Sequence, residues 1–202
     1  MRRSFGLIAA MVIVGFTVSG FAQGDGRQGR QGRPGGGGPA RGPQGPPITT
    51  LAGDVQNDLD RTRELFINMV NAMPAEKFDF KPTPAQQTFG ERVMHIVQAD
   101  QFILRTLGGK TQPPAINQQA SSKADVVAAL RQLYDWEGTL MKEFNDQQLT
   151  ERIMPPPFLG SSASRVRVFY YSLQHTEDIY GQLVVYLRLN GVTPPASQRG
   201  GV

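Results

Sequence analysis

The stretch SRVRVFYYSLQHTEDIYGQLVVYLRLNG, Ser164 to Gly191, decides the fold. Val166, Phe169, Leu173, Thr176, Tyr180, Leu183 and Leu187 recur at alternating steps of three and four residues. That spacing draws one apolar stripe down a helix with a seven-residue repeat. Gly191 suits a C-cap, and Pro194 and Pro195 forbid continuation. The stretch also contains His175, one of only two histidines in the chain.

Three more segments carry the same period. Val55, Leu59, Thr62, Phe66, Met69 and Met73 predict a first helix from about Leu51 to Ala72, ended by Pro74. FDFKPTPAQQ, with Pro82 and Pro84, reads as a turn-rich connection. Thr88 and Glu91 form a capping box: the hydroxyl takes the amide three residues on, and the carboxylate reaches back. Phe89, Val93, Ile96, Ala99 and Ile103 mark the buried side of this second helix, which Gly108 and Gly109 stop. The third helix starts near Ser122, with Asp125 in the capping region. Val126, Leu130, Leu133, Trp136 or Glu137, Leu140 and Phe144 follow as its inner stripe. Asp135, Glu137 and Glu143 read as a solvated face. NDQQLTERIMPPPFLGSS then makes a long connection with three consecutive prolines, of the length that often covers something. Its MPPPFL, Met154 to Leu159, places apolar side chains where they would cap the bundle's open end or form a contact surface. The fourth helix runs from about Ser164 to Asn190. The expected fold is all-α, a four-helix up-down bundle over residues 48–197, with a flexible C-terminus at 198–202.

The N-terminus reads differently. MRRSFGLIAAMVIVGFTVSGFAQ has Arg2 and Arg3, an apolar run from Phe5 to Val18 and small residues at Gly20 and Ala22. This is the pattern of a signal peptide at 1–22, too short for a membrane span, so the expected location is periplasmic or extracellular with no span after cleavage. Residues 23–47 are Gly/Pro/Arg-rich and hold no apolar side chains that could offset the entropy of ordering, which predicts a disordered linker. The sequence pI of 9.6 comes from these parts. Of 21 basic residues, two lie in the signal segment and four in the linker, leaving 15 against 16 acidic residues from Ile48 onward. That near-neutral remainder excludes a nucleic-acid partner. The absence of cysteine excludes disulfides, thiol catalysis and thiolate ligands.

The remaining question is what His95, in FGERVMHIVQAD, and His175 do. Two imidazoles fall short of a complete tetrahedral site. No Glu-x-x-His pair supports a di-iron centre. Ser161, Ser162 and Ser164 are explained by helix capping, and Gly108-Gly109 lacks a phosphate-loop context.

KFDFKPTP, the single-histidine helix FGERVMHIVQAD, and above all HTEDIYGQLVVYLRLNGVTPP resemble the DinB-like superfamily of four-helix bundles, in an exported form, over roughly residues 50 to 197. The resemblance implies a divalent-metal scaffold, with Zn, Ni or Mn held by three histidines; characterised relatives include metal-dependent thiol transferases. One ligand matches His95. The other two lie four residues apart on the last helix; the first matches His175, and the second falls at Ile179, which cannot bind a metal. Asp178 is the remaining candidate for a third ligand, about 100° around the helix from that position. Two functions follow. One is a metal-free module with a degenerate site, in which Ile179 completes an apolar pocket with Phe102 and the tyrosines and binds a small molecule or a protein. The other is a divalent-metal-dependent hydrolase or thiol transferase using His95 and His175. A homodimer is compatible with such a bundle.

Overall fold

The computed structural model describes residues 50–198. The predicted signal peptide and linker, and all but the first residue of the predicted C-terminal tail, lie outside the described residues. Four long helices dominate: α1 Leu51–Ala72, α2 Phe89–Leu104, α3 Lys123–Met141 and, after a short α4 Asp146–Thr150, α5 Arg165–Leu189. The caps agree with the sequence. Thr50, Thr88, Ser122 and Ser164 each accept a backbone N–H of the first turn, and Glu91 closes the capping box at 2.7 Å from Thr88 N. No helix among the described residues is long and apolar enough to cross a membrane.

The topology corrects the up-down expectation. α1 packs on α3 and α5, and α2 packs on the same two helices, so consecutive α1 and α2 occupy opposite corners. Lys123 Nζ, at the start of α3, donates to the carbonyls of Asn71 and Met73 at the end of α1 (2.8 and 2.7 Å), so these helices are antiparallel. Gly90 at the start of α2 lies against the carbonyl of Ser121, just before α3, and Gly109 beyond α2 lies against Leu140 and Glu143 at the end of α3. α2 and α3 therefore run in the same direction. Tyr186 Oη donates to Gln87 O (2.9 Å) and Ser172 Oγ to Asp100, which sets α5 antiparallel to α2. The order is up, down, down, up.

Parallel neighbours need a return crossing, and residues 108–122 supply it. Gly108, at φ 73°, turns the chain out of the helix end. The Glu143 carboxylate then collects the backbone N–H of Lys110 and Thr111 (2.5 and 2.8 Å) and the Thr111 hydroxyl. Trp136 Nε1 donates to Thr111 O (3.1 Å) and Gln101 Nε2 to Pro114 O (2.8 Å). Pro113 and Pro114 favour an extended path along α2. Glu143 is thus an anchor for the crossover rather than part of a free solvated face.

The long connection before α5 is also more ordered than an irregular loop. Asn145 caps α4, whose Leu149 is fully buried. A two-residue antiparallel ladder, β1 Arg152–Ile153 with β2 Ala163–Ser164, pinches the chain into a loop at 154–162. Arg152 ties the neck by donating to Ser162 Oγ and O (2.8 and 2.6 Å).

The core is mostly apolar, with Phe66, Phe89, Phe169, Met69 and Leu130 among its fully buried side chains. A polar seam crosses it. Asp100 on α2 and Glu137 on α3 are each 2% exposed. Glu137 is thus buried, not on a solvated face; it is in phase with Leu133 and Leu140, the alternative that spacing left open. The Asp100 carboxyl accepts from Ser172 Oγ (2.5 Å) and Thr176 Oγ1 (3.0 Å) on α5. Arg63 on α1 places Nε 3.9 Å from Glu137 Oε2 and its guanidinium over the Tyr134 ring. Burial pushes the Asp100 pKa up to about 7, against the pull of its two hydroxyl donors. Burial and the nearby Asp100 push Glu137 up as well, partly countered by Arg63.

A raised carboxyl pKa means the folded state holds a proton that the unfolded state has released. The associated stability is present below the ordinary Asp value of 3.8 and is lost as pH rises towards about 7. Asp100→Asn, which mimics the protonated acid, is expected to reduce the fall of stability across that window. Urea unfolding at a series of pH values checks this; a slope unchanged in the variant would show that Asp100 ionises freely in the fold.

Candidate functional site

The polar seam fixes the register in which α2 and α5 face each other, and the two histidines meet one turn along it. His95 Nε2 and His175 Nε2 lie 3.3 Å apart, with ring centroids 5.1 Å apart and planes inclined at 72°. The sequence placed both at the edge of the core, and both are half-buried. At this distance one Nε2 can donate a proton to the other. Burial, then the Arg92 charge, lowers the His95 pKa. Burial, His95 and Arg92 lower His175, against an upward pull from Asp178. Both shifts favour the neutral imidazoles. His175 Nδ1 is buried without a hydrogen-bond partner among the described residues.

Arg92 lies one turn before His95. Its Nε donates to Gln182 Oε1 (3.0 Å), as does Nη2, and its Nη1 donates to Gln87 Oε1 (3.0 Å). Sequence reading missed this residue as part of the site, although i and i+3 on a helix share a face. Gln182 in turn donates to the exposed Asp178 carboxylate (2.9 Å). Asp178 thus belongs to a chain of polar contacts leading to Arg92. Ile179 is 1% exposed and packs in the core.

Beside the histidines is a pocket of about 200 Å³. His95, Ala99, Ile103 and His175 form its base, and Phe102, Tyr171 and Phe158 its walls. Phe158 comes from the loop held by the β1–β2 neck. Its ring is 5.2 Å from Tyr171 and 6.4 Å from Phe102. Both Phe102 (42%) and Phe158 (56%) remain exposed. The loop thus covers the mouth of a histidine pocket. Of the tyrosines, Tyr171 lines it, and Ile179 lies outside its lining.

A divalent ion can be tested against these residues. Two nitrogens 3.3 Å apart, each about 2.0–2.1 Å from one ion, subtend roughly 105–110°, close to a tetrahedral angle. The pair alone fits. No third ligand joins them: the residue one turn after His175 is the buried Ile179, Arg92 brings a positive charge close by, and no group of three His, Asp or Glu able to hold an ion occurs among the described residues.

A lowered histidine pKa has the opposite linkage sign to that of Asp100. The unfolded chain binds the proton first, so the stability is present above 6.5 and is lost as pH falls through the folded value. Both imidazole Cε1–H resonances are expected to titrate below 6.5, and Arg92→Gln is expected to raise both midpoints. Proton NMR titration checks it; midpoints that stay put would separate Arg92 from the pair.

Comparison with known proteins agrees with this architecture. The sequence matches the DinB superfamily over residues 58–183. No curated protein matches the chain. Among solved structures, a DinB-like protein from Bacillus cereus ATCC 10987 superposes with a TM-score of 0.62 at 23% identity, covering 72% of this chain and 96% of that one. The DinB-like protein YjoA from Bacillus subtilis gives 0.56 at 16% identity, covering 69% and 94%. YfiT from Bacillus subtilis, described as a probable metal-dependent hydrolase with an unusual four-helix bundle topology, gives 0.56 at 13% identity, covering 76% and 95%. The family match and the shared bundle together place this chain in the DinB superfamily.

Proposed function

We propose that this chain is a metal-free small-molecule-binding module, built on a DinB bundle whose metal site has been closed. The observation that carries the reading is the substitution at the third ligand position. Ile179 is buried in the core, where an imidazole would be needed one turn after His175. Arg92 reinforces it, because its fixed positive charge disfavours both protonated imidazole and a bound cation nearby. What is left is a pair of neutral imidazoles with a donor and an acceptor between them, at the base of an aromatic pocket. The pocket is smaller than the 300–1,000 Å³ typical of drug-sized ligands, which suits a compact ligand or one end of a longer one. In this reading Phe158 controls entry.

The second reading, a divalent-metal-dependent hydrolase or thiol transferase, draws on the Nε2 separation and on the description of YfiT. His95 and His175 would hold the ion, with solvent or substrate completing its shell. A bound ion would supply a lowered pKa to water or a thiol. Export through the N-terminal segment, and a homodimer, remain part of the proposal.

Metal content decides between the readings. The protein, purified without a metal-binding tag, exposed to zinc, nickel and manganese and then desalted, is expected to retain none by mass spectrometry. Ile179→His is expected to gain close to one zinc per chain, since it restores an imidazole one turn from His175. Near-stoichiometric metal in the unmodified protein, lost in His175→Ala, would establish the second reading instead.

A further inference from the structure

The crossover that makes the topology unusual also makes a groove. Along the outer face of α2, Glu91, His95, Gln98, Phe102 and Arg105 recur at steps of four and three, a stripe left open to solvent. The returning segment 112–121 runs beside it. Between them lie two depressions of about 330 and 260 Å³ that share Gln98 and Gln118. The first contains His95 and the second Phe102, and both residues also line the histidine pocket. The three hollows therefore adjoin, with His95 and Phe102 as their shared walls. From Glu91 to Arg105 the groove runs roughly 20 Å, at about 1.5 Å per helical residue.

The groove has a distinctive chemistry. Its polar groups are mostly carboxamides: Gln87, Gln98, Gln101, Gln118 and Gln119. Three are tied down, with Gln87 Oε1 accepting from Arg92 Nη1 (3.0 Å), Gln101 Nε2 on Pro114 O (2.8 Å) and Gln118 Nε2 on Gln101 Oε1 (3.3 Å). The side chains of Gln98 and Gln119 are exposed and make no hydrogen bond among the described residues. Formal charge is sparse and balanced, with one carboxylate, Glu91, and one guanidinium, Arg105, among the residues lining the two depressions. The Glu91 carboxylate accepts from Thr88 N at the helix cap, and the Arg105 guanidinium lies 4.8 Å from the Phe102 ring centroid. At one end stand the exposed aromatic rings of Phe102 and Phe158.

We infer that this groove binds a neutral oligosaccharide. A carboxamide donates and accepts in one plane, and so meets neighbouring hydroxyls that also donate and accept. Sugar rings carry apolar C–H faces, which aromatic side chains can cover while the hydroxyls stay wet. A polymer charged with one sign would meet opposite charges at the two ends, Glu91 at one and Arg105 at the other. An extended peptide is the weaker fit. Peptides are held by rows of backbone donors and acceptors at a strand edge. Here one wall is a helix whose backbone is internally bonded, and the other includes two prolines without N–H groups. The inference extends the small-molecule reading: the sugar chain lies along the groove and inserts one ring or substituent into the histidine pocket.

Saturation-transfer NMR on the full chain tests it, with neutral cello-, malto-, xylo- and chito-tetraose as the probes and a glycine–glutamine peptide as competitor. At least one tetrasaccharide is expected to receive saturation. Gln98→Ala and Phe102→Ala, both at exposed positions, are each expected to weaken it by roughly tenfold, an effect of the size that one lost hydrogen bond or ring contact gives. Gln174→Ala, in a separate hollow between α1 and α5, is expected to leave it unchanged. No transfer to any of the four sugars, transfer indifferent to Gln98 and Phe102, or preference for the peptide would overturn the assignment. The earlier reading has its own readout: small aromatic fragments that shift the histidine resonances while no sugar binds would leave the pocket standing and remove the oligosaccharide.

Discussion

The Asp100 carboxyl, held between Ser172 and Thr176, is the contact on which the site depends. Apolar stripes on two helices tolerate sliding, because one leucine fills a hollow about as well as the next. A buried carboxyl with two specific donors does not, since a slip would leave it unpartnered in the core at a cost of a few kcal/mol. Once Asp100 is seated, the partners towards the start of α2 follow. His95 meets His175, and one turn further Arg92 meets Gln182. A rotation of one residue step, about 100°, would aim the imidazoles elsewhere. The polar seam is therefore an alignment device for the chemistry beside it.

The seam sets two buried carboxyls close to one guanidinium. Arg63 brings one positive charge to Glu137, and Asp100 is near enough to raise the proton affinity of Glu137. Several atoms remain unpartnered among the described residues: Arg63 Nε and Nη2, Glu137 Oε1 and Tyr134 Oη. Buried polar groups of this kind are ordinarily met by an internal water. All four long helices contribute to the seam, which gives the bundle a specific arrangement where apolar packing alone would permit several.

Much of this was legible in the residues. Helix positions and caps followed from period and from Thr88 with Glu91, because both are local properties. Helix direction is not local. The segment from Gly108 to Ser122 looks like a helix stop followed by a loop, and nothing in its composition says that it returns along α2. The fixing contacts, Lys110 and Thr111 with Glu143 and Trp136 with Thr111, join residues 25 to 33 apart in sequence. Glu137 and Asp100 did carry a signal, being charged residues in phase with buried stripes, but charge alone reads as solvent-facing unless the partner is known. Of the site, the two histidines and Phe102 could be found from sequence. Arg92 and Phe158 needed the fold, because their roles depend on α5 and on the β1–β2 neck.

The crossover joins these observations. A simple up-down bundle would put a short turn after α2 and leave its outer face to bulk solvent. Here the chain is returned along that face to start α3 beside α2, and the return creates a second wall. The same Gln101 to Pro114 bond that holds the crossover against α2 sets the depth of the groove. The neck that pinches residues 154–162 then brings Phe158 over the groove's histidine end. In the proposed metal-free reading, with the buried Ile179 one turn after His175, binding selectivity comes from shape and hydrogen bonding. The two connections that depart from the simplest four-helix design are the parts that supply both.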